Sequence, residues 1–173
     1  AQGFAQTRPL QVEQPAGVRL VDGGRGVEIT LLDVPAGLRI RGDELQLASA
    51  IGNLVENAVK YSHAGGAVQV RVRVDEAAVE VMVADQGVGI PARDLDRVFE
   101  RFYRVDKARS RETGGTGLGL SIVRHVATNH GGEVLVSSQE GEGSTFVLRL
   151  PASLMLPTRE EDIESPADAD GAP

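Results

Sequence analysis

Three side chains at helical spacing open the chemical reading: Asn53, Asn57 and Lys60 recur at i, i+4 and i+7. Amide oxygens are hard ligands, suited to a Mg²⁺ ion that keeps several waters and shares phosphate oxygens. A lysine one turn further on supplies a point charge for phosphate. A second candidate is Asp85-Gln86-Gly87-Val88-Gly89, which directly follows a strand-like run. Its glycines let backbone approach a ligand closely, and a fixed carboxylate can accept a hydrogen bond from an exocyclic amine such as that of adenine. A third is Gly114-Gly115-Thr116-Gly117-Leu118-Gly119-Leu120, a glycine run that opens a helical pattern. Free N–H groups and the positive end of the helix dipole make such a junction an anion site. It is neither a Walker loop, since no Gly-Lys-Ser/Thr follows, nor a G-x-G-x-x-G fingerprint. A fourth is Phe99-Glu100-Arg101-Phe102-Tyr103-Arg104, followed by Asp106, Lys107, Arg109 and Arg111. Aromatics there can anchor one end of a loop whose basic residues face a phosphate chain. Taken singly, each has a plainer reading: a solvated helix face, a tight turn, a flexible linker, a small apolar cluster beside a basic loop.

The elements that must position these groups are legible in the hydrophobic pattern. Asp43 can cap a helix, with Gln46 at capping-box spacing. Leu47, Ile51, Leu54, Val55 and Ala58 then form one apolar stripe, with Asn53, Asn57 and Lys60 opposite and Tyr61 at the border. Residues 62–66, rich in glycine, end it. Gly26–Leu32 and Gly37–Arg41 read as strands, and Ala67–Val74 and Ala78–Ala84 alternate strictly, as a hairpin does. Pro91 opens a short helix with apolar Leu95, Val98 and Phe99. The polar, basic stretch 104–116 reads as a long mobile loop. Leu118–His130 is a second amphipathic helix ended by Gly131-Gly132, and Glu133–Ser138 with Ser144–Leu150 reads as a closing hairpin. Antiparallel hairpins beside a few helices predict an α+β two-layer α/β sandwich, its mixed, largely antiparallel sheet covered on one face by helices.

Composition narrows the functions. The chain has 173 residues and no Cys, which excludes disulfides, thiolate metal sites and a Cys nucleophile. Its net charge of -7 is concentrated at the C-terminal end, where six acids after Pro157 face Arg159 alone. The body is close to neutral, so no broad basic surface for nucleic acid is expected. No apolar run approaches the roughly 18 residues that span a bilayer, and the first residues lack the layout of a signal peptide. The expected organisation is a linker or frayed segment over 1–25, a domain over 26–151, and an acidic, disordered tail over 152–173. The chain reads as a piece of something longer.

In this order the blocks NLVENAVKYS (53–62), DQGVGIP (85–91), FERFYR (99–104), GGTGLGLSIV (114–123) and GEGSTFVLRLP (141–151) carry a resemblance. The chain resembles the ATP-binding catalytic domain of two-component sensor histidine kinases, of the Bergerat type shared with type II topoisomerase, chaperone and mismatch-repair ATPases. The segments FYRVDKARS and GTGLGLSIVRHV look most like kinases that partner winged-helix response regulators, and are similar to the phosphate-response sensors of actinobacteria. The resemblance implies that Asn57 coordinates Mg²⁺, that Asn53 helps at the phosphates and that Lys60 contacts phosphate. It implies that Tyr61 packs beside the nucleotide, that Asp85 binds the adenine amino group with Gly87 and Gly89 allowing close approach, and that Ile90 and Leu118 line the base. Arg104 would reach the γ-phosphate, Gly115, Gly117 and Gly119 would shape the phosphate loop, Thr145 would support Asp85, and Phe99 and Phe102 would anchor the lid. The implied catalytic pair is Asn57 and Arg104, and the implied reaction is γ-phosphoryl transfer from Mg-ATP to a histidine.

Two departures qualify it. None of His63, His125 and His130 sits in the family's acceptor motif, and the dimerising helices that carry it are not in evidence. The chain is therefore expected to bind ATP without phosphorylating itself: a monomeric cytoplasmic domain of a membrane-bound, homodimeric parent that signals to a response regulator. The related ATPases place a general-base Glu one turn before the metal Asn; here that position is Asn53, and Glu56 points roughly 100° away. Competing readings are a serine kinase of the anti-sigma-factor type and a nucleotide-sensing docking module without turnover.

Overall fold

The computed structural model describes residues 19–21, 25–105 and 116–157. Strands β1 (Arg19–Val21), β2 (Glu28–Leu32) and β3 (Arg39–Ile40) precede helix α1 (Glu44–Tyr61). The hairpin β4 (Ala67–Val74) and β5 (Ala78–Asp85) follows, then a 3₁₀ turn at Ala92–Asp94 and helix α2 (Gly119–Asn129). Strands β6 (Glu133–Gln139), β7 (Gly143–Pro151) and β8 (Met155–Leu156) complete the order.

The main sheet has six strands in the order β1-β2-β4-β5-β7-β6. Only β2 and β4 pair in parallel; the others are antiparallel. This is the mixed, largely antiparallel sheet that the alternation predicts. Both helices lie on one of its faces. Leu47, Ala50, Leu54 and Ala58 of α1 and Val123, Val126 and Ala127 of α2 are buried against Val68, Val70, Val81, Val83, Phe146 and Leu148. Burial of each large side chain there contributes about 1.5–3 kcal/mol, and together they fix how α1 and α2 lie side by side over the strands.

Helix ends behave as their residues dictate. The Asp43 carboxylate accepts from the Gln46 N–H at 3.0 Å, capping α1. His130 ties the start of α1 to the end of α2: its Nε2 accepts from the Asp43 N–H at 3.0 Å, and its Nδ1–H faces the Val126 carbonyl at 2.8 Å. That histidine is a structural bridge between helices rather than a solvated surface group. Pro91 opens a short 3₁₀ turn that runs on as successive turns, with Val98 and Phe99 buried.

The folded body is larger than residues 26–151. Strand β1, inside the stretch read as a linker, adds to the sheet edge. Beyond Pro151, inside the stretch read as tail, Arg41 donates to the Leu154 carbonyl at 2.7 Å and β8 pairs with β3. Leu154 and Ile40 pack on the core. Both additions are only two or three residues long, too short to show a period, and the β3–β8 pair joins residues more than a hundred positions apart. Residues 1–18 and 22–24 of the expected linker, the acidic stretch after Pro157 and the basic loop 106–115 lie outside the described residues. Among the described residues no helix is long and apolar enough to cross a membrane.

Candidate functional site

Two groups of residues meet where α1, β5, the 86–91 turn and the start of α2 converge. The first surrounds Asp85, the last residue of β5. Asp85 is buried, and the Gly87 N–H donates to its Oδ1 at 2.9 Å. Burial pushes the carboxyl up to about 6, against hydrogen bonds from the Gly87 and Ser144 N–H groups and the charge of nearby His63. An ionised carboxylate held this way stabilises a donor such as an exocyclic amine.

The glycines around it serve the protein's own packing. A Cβ on Gly87 would stand 2.1 Å from the Tyr61 carbonyl oxygen, and one on Gly89 2.0 Å from that of Gln139. Only glycine lets the turn close onto the end of α1, where the Val88 N–H donates to the Tyr61 carbonyl at 3.2 Å. The expected close approach is thus to backbone. It aims the turn, and through it the Asp85 side chain. Ile90 is held next to it, its N–H donating to Ser138 Oγ at 2.8 Å.

Thr145 does not stand behind Asp85. Cross-strand partners share a face, and Thr145 pairs with Ala84 while Ser144 pairs with Asp85. The residue that shares the Asp85 face is Ser144, buried, its N–H bonded to the Asp85 carboxylate and its hydroxyl 2.9 Å from that of Ser138. The signal was available: Phe146, Leu148 and Leu150 mark the inward face of β7, and period two assigns Ser144 to it. His63 was likewise missed as a neighbour of Asp85, because it lies past the end of α1 where no periodicity applies.

The second group lies one helical face away. The Asn53 Nδ2 donates to the Ser49 carbonyl at 2.8 Å, which leaves its Oδ1 turned to α2. A Cβ on Gly119 would stand 2.8 Å from that oxygen and 3.7 Å from Asn57 Nδ2. The amide face of α1 thus abuts the first residue of α2. Leu118 caps α2 without any side-chain hydrogen bond, which leaves the first-turn N–H groups without a capping side chain from it. Gly117, at φ +71, turns the chain into the helix, and Leu118 is half-buried beside it.

Cations complete this group. Burial and the charge of Arg104 both hold the Lys60 ammonium below its usual range. Burial raises the Tyr61 phenol, and Arg104 opposes it. The structure thus brings Lys60, Tyr61 and Arg104 together, with two positive charges repelling each other across a space that an anion would stabilise. Glu56 is exposed on another side of α1.

The aromatic anchors divide. Phe99 is buried and packs edge-to-face on Phe146, with ring centroids 6.3 Å apart. Phe102 is 70% exposed and does not anchor by burial; its N–H donates to the Gly117 carbonyl at 2.9 Å instead. Gly115 lies outside the described residues.

The donor set fits a magnesium nucleotide. Among the described residues no group of three or more His, Cys, Asp or Glu could hold a metal. What is present is an amide pair beside an uncapped helix start, the arrangement suited to an ion that takes most of its ligands from phosphate and water. A shallow cavity of about 310 Å³ between Ala78, Gly132, Glu133 and Arg149 lies at the far end of β5. Its Arg149 is engaged by Glu80 at 3.4 Å and Glu133 at 3.5 Å, so it offers no free charge.

Residues 42–154 match the family described as histidine kinase-, DNA gyrase B- and HSP90-like ATPases. The chain is 56% identical over 119 residues to the sensor-like histidine kinase SenX3 of Mycolicibacterium smegmatis, covering 69% of this chain and 31% of that protein. Its structure is similar to that of the mycobacterial sensor histidine kinase MprB, with a TM-score of 0.62, 37% identity, and coverage of 72% of this chain and 82% of that one. It is also similar to full-length ShkA, whose structure is of a complex with AMPPNP, with a TM-score of 0.60, 32% identity, and coverage of 74% and 27%. The chain spans about three-tenths of the length of the curated relatives it matches.

Proposed function

The chain belongs to the histidine kinase-, DNA gyrase B- and HSP90-like ATPase family, and on that premise we propose that it is the catalytic part of a sensor histidine kinase. It binds Mg-ATP and passes the γ-phosphoryl group to a histidine carried on dimerisation helices of the parent. The observation that carries this reading is the meeting of Asn53 and Asn57 with the uncapped start of α2 at Gly119.

In this reading the Asp85 carboxylate accepts from the adenine amino group, with Ser144 behind it and Ile90, Leu118 and Tyr61 around the base. Asn53, Lys60, Gly117, Gly119 and the first turn of α2 take the phosphates. Asn57 would hold Mg²⁺, which when bound would supply positive charge to the phosphate oxygens. Arg104 meets the γ-phosphate. A ring nitrogen of the acceptor histidine forms a bond to the γ-phosphorus as the bond to the β,γ-bridging oxygen breaks; ADP leaves and the ring proton passes to solvent. This chain's own work is positioning and charge neutralisation. With Asn53 where a hydrolase needs a carboxylate, water is not activated.

We read the parent as a membrane-bound homodimer and this chain as its monomeric cytoplasmic part, with a response regulator as the final acceptor. Calorimetric titration with ATP and ADP, with and without Mg²⁺ and with GTP as control, tests the pocket. Adenine-selective, Mg²⁺-strengthened binding is expected, and Asp85→Asn should lower it about 10- to 100-fold, the worth of one hydrogen bond to a charged group. Acid-labile phosphate on acceptor helices added in trans tests the transfer. Equal binding of ATP and GTP would reject the adenine assignment, and acid-stable phosphoserine on a partner would reject the histidine.

A further inference from the structure

We propose that Asp94 and Tyr103 form a clasp that positions Arg104, and that both are positioning residues for the phosphate end of the site; the role of Arg104 toward γ-phosphate rests on the function proposed above. Asp94 is a carboxylate only 7% exposed, at the end of the 3₁₀ turn. The Tyr103 hydroxyl donates to its Oδ1 at 2.7 Å, the short distance of a bond to a charged acceptor. The Arg97 guanidinium lies over the Tyr103 ring, 4.2 Å from its centroid. Arg93 Nε, at 3.8 Å, is the ion-pair partner of the other carboxylate oxygen.

The backbone beside the clasp shows why one is needed. Phe102 sits at φ +64, a strained conformation for a bulky residue. Its ring is 70% exposed, so burial does not offset that strain. What holds the turn is on either side: the Phe102 N–H bonded to the Gly117 carbonyl at 2.9 Å, and the Tyr103 ring fixed by Asp94 and Arg97. Gly117 permits the first contact, since a Cβ there would stand 2.9 Å from Phe102 Cα. Directly after Tyr103 comes Arg104, whose charge is felt at both Lys60 and Tyr61. A buried acid thus sets the direction in which a cation leaves the turn.

The chain has only two tyrosines, so ¹³C-tyrosine NMR titration resolves Tyr61 without nucleotide. Arg104→Ala should raise the Tyr61 midpoint. Tyr103→Phe and Asp94→Ala should raise it to the same place if the clasp sets Arg104, and Asp94→Asn, whose amide oxygen still accepts the phenolic proton, should restore it. In calorimetry Tyr103→Phe should weaken ATP roughly tenfold, part of one charge-assisted contact, with ADP changed less than about twofold. A Tyr61 midpoint in Tyr103→Phe and Asp94→Ala equal to wild type overturns the clasp. So does an equal loss of ATP and ADP accompanied by a lowered melting temperature, the mark of a merely structural role. If the wild type binds no ATP, the proposed function fails, while the Tyr61 titration still decides the clasp.

Discussion

The two ends of the candidate site are built on different principles. The end proposed to take adenine is part of the sheet: Asp85 and Ser144 are paired residues of neighbouring strands, buried, with the carboxylate already held by backbone N–H groups. The phosphate end is assembled from side chains on separate elements, Asn53, Asn57 and Lys60 on α1, Arg104 after a strained turn, and the uncapped start of α2. The first end is preorganised: its carboxylate is fixed by backbone N–H groups even though burial disfavours its charge. The second gathers amides and mutually repelling cations that are stabilised when an anion arrives. On the proposed reading, base selectivity belongs to rigid backbone geometry, and metal and phosphate dependence to side chains whose removal should spare the fold.

That contrast can be broken most forcefully at Gly87. A Cβ there meets the Tyr61 carbonyl at 2.1 Å, so Gly87→Ala should destabilise the protein by about 3 kcal/mol, read as a drop in the denaturant midpoint. Unchanged stability would show that the adenine end is not rigid. The pH dependence of stability probes the same end. A carboxyl raised from 3.8 to about 6 by folding binds more protons in the native state over that window. Its stabilisation is complete below about pH 4 and is lost as pH rises through 6, a swing of order 3 kcal/mol. Denaturant melts from pH 4 to 7.5 should show that decline in the wild type relative to Asp85→Asn, where it is absent; parallel curves would refute the buried carboxylate.

At the phosphate end the expectation reverses. Asn57→Ala should abolish the Mg²⁺ enhancement of nucleotide binding in calorimetry and change stability by less than about 0.5 kcal/mol. A large loss of stability would make Asn57 structural and erase the contrast. The smallest effect is expected at Thr145, whose side chain is on the other face from Asp85. Thr145→Ala should leave adenine affinity within about twofold, and a loss comparable to that of Asp85→Asn would restore it as the supporting residue.

Much of this was legible in the chain before folding, because the carrying signals are local. Period 3.6 over 47–58 and the Asp43 cap define α1 and with it the face that bears Asn53, Asn57 and Lys60. Period two defines the β4–β5 and β6–β7 hairpins, and glycine punctuates the turns between them. The same period assigns Ser144, not Thr145, to the face of Asp85, whereas the family resemblance implied Thr145. His63, the Asp94–Tyr103 bond, β1 and the β3–β8 pair left no such mark.

The sequence by itself determined the elements, the buried faces and the residue types available at each end of the site, since these follow from periodicity, capping and the intrinsic chemistry of side chains. Tertiary structure alone decided which of them meet. The packing of α1 against α2 sets Asn53 beside Gly119, strand register sets Ser144 beside Asp85, and burial sets the carboxyl near 6. Contacts between residues far apart in the chain depend on the relative placement of whole elements, and hydrophobic packing fixes that placement only once the sheet and both helices are assembled.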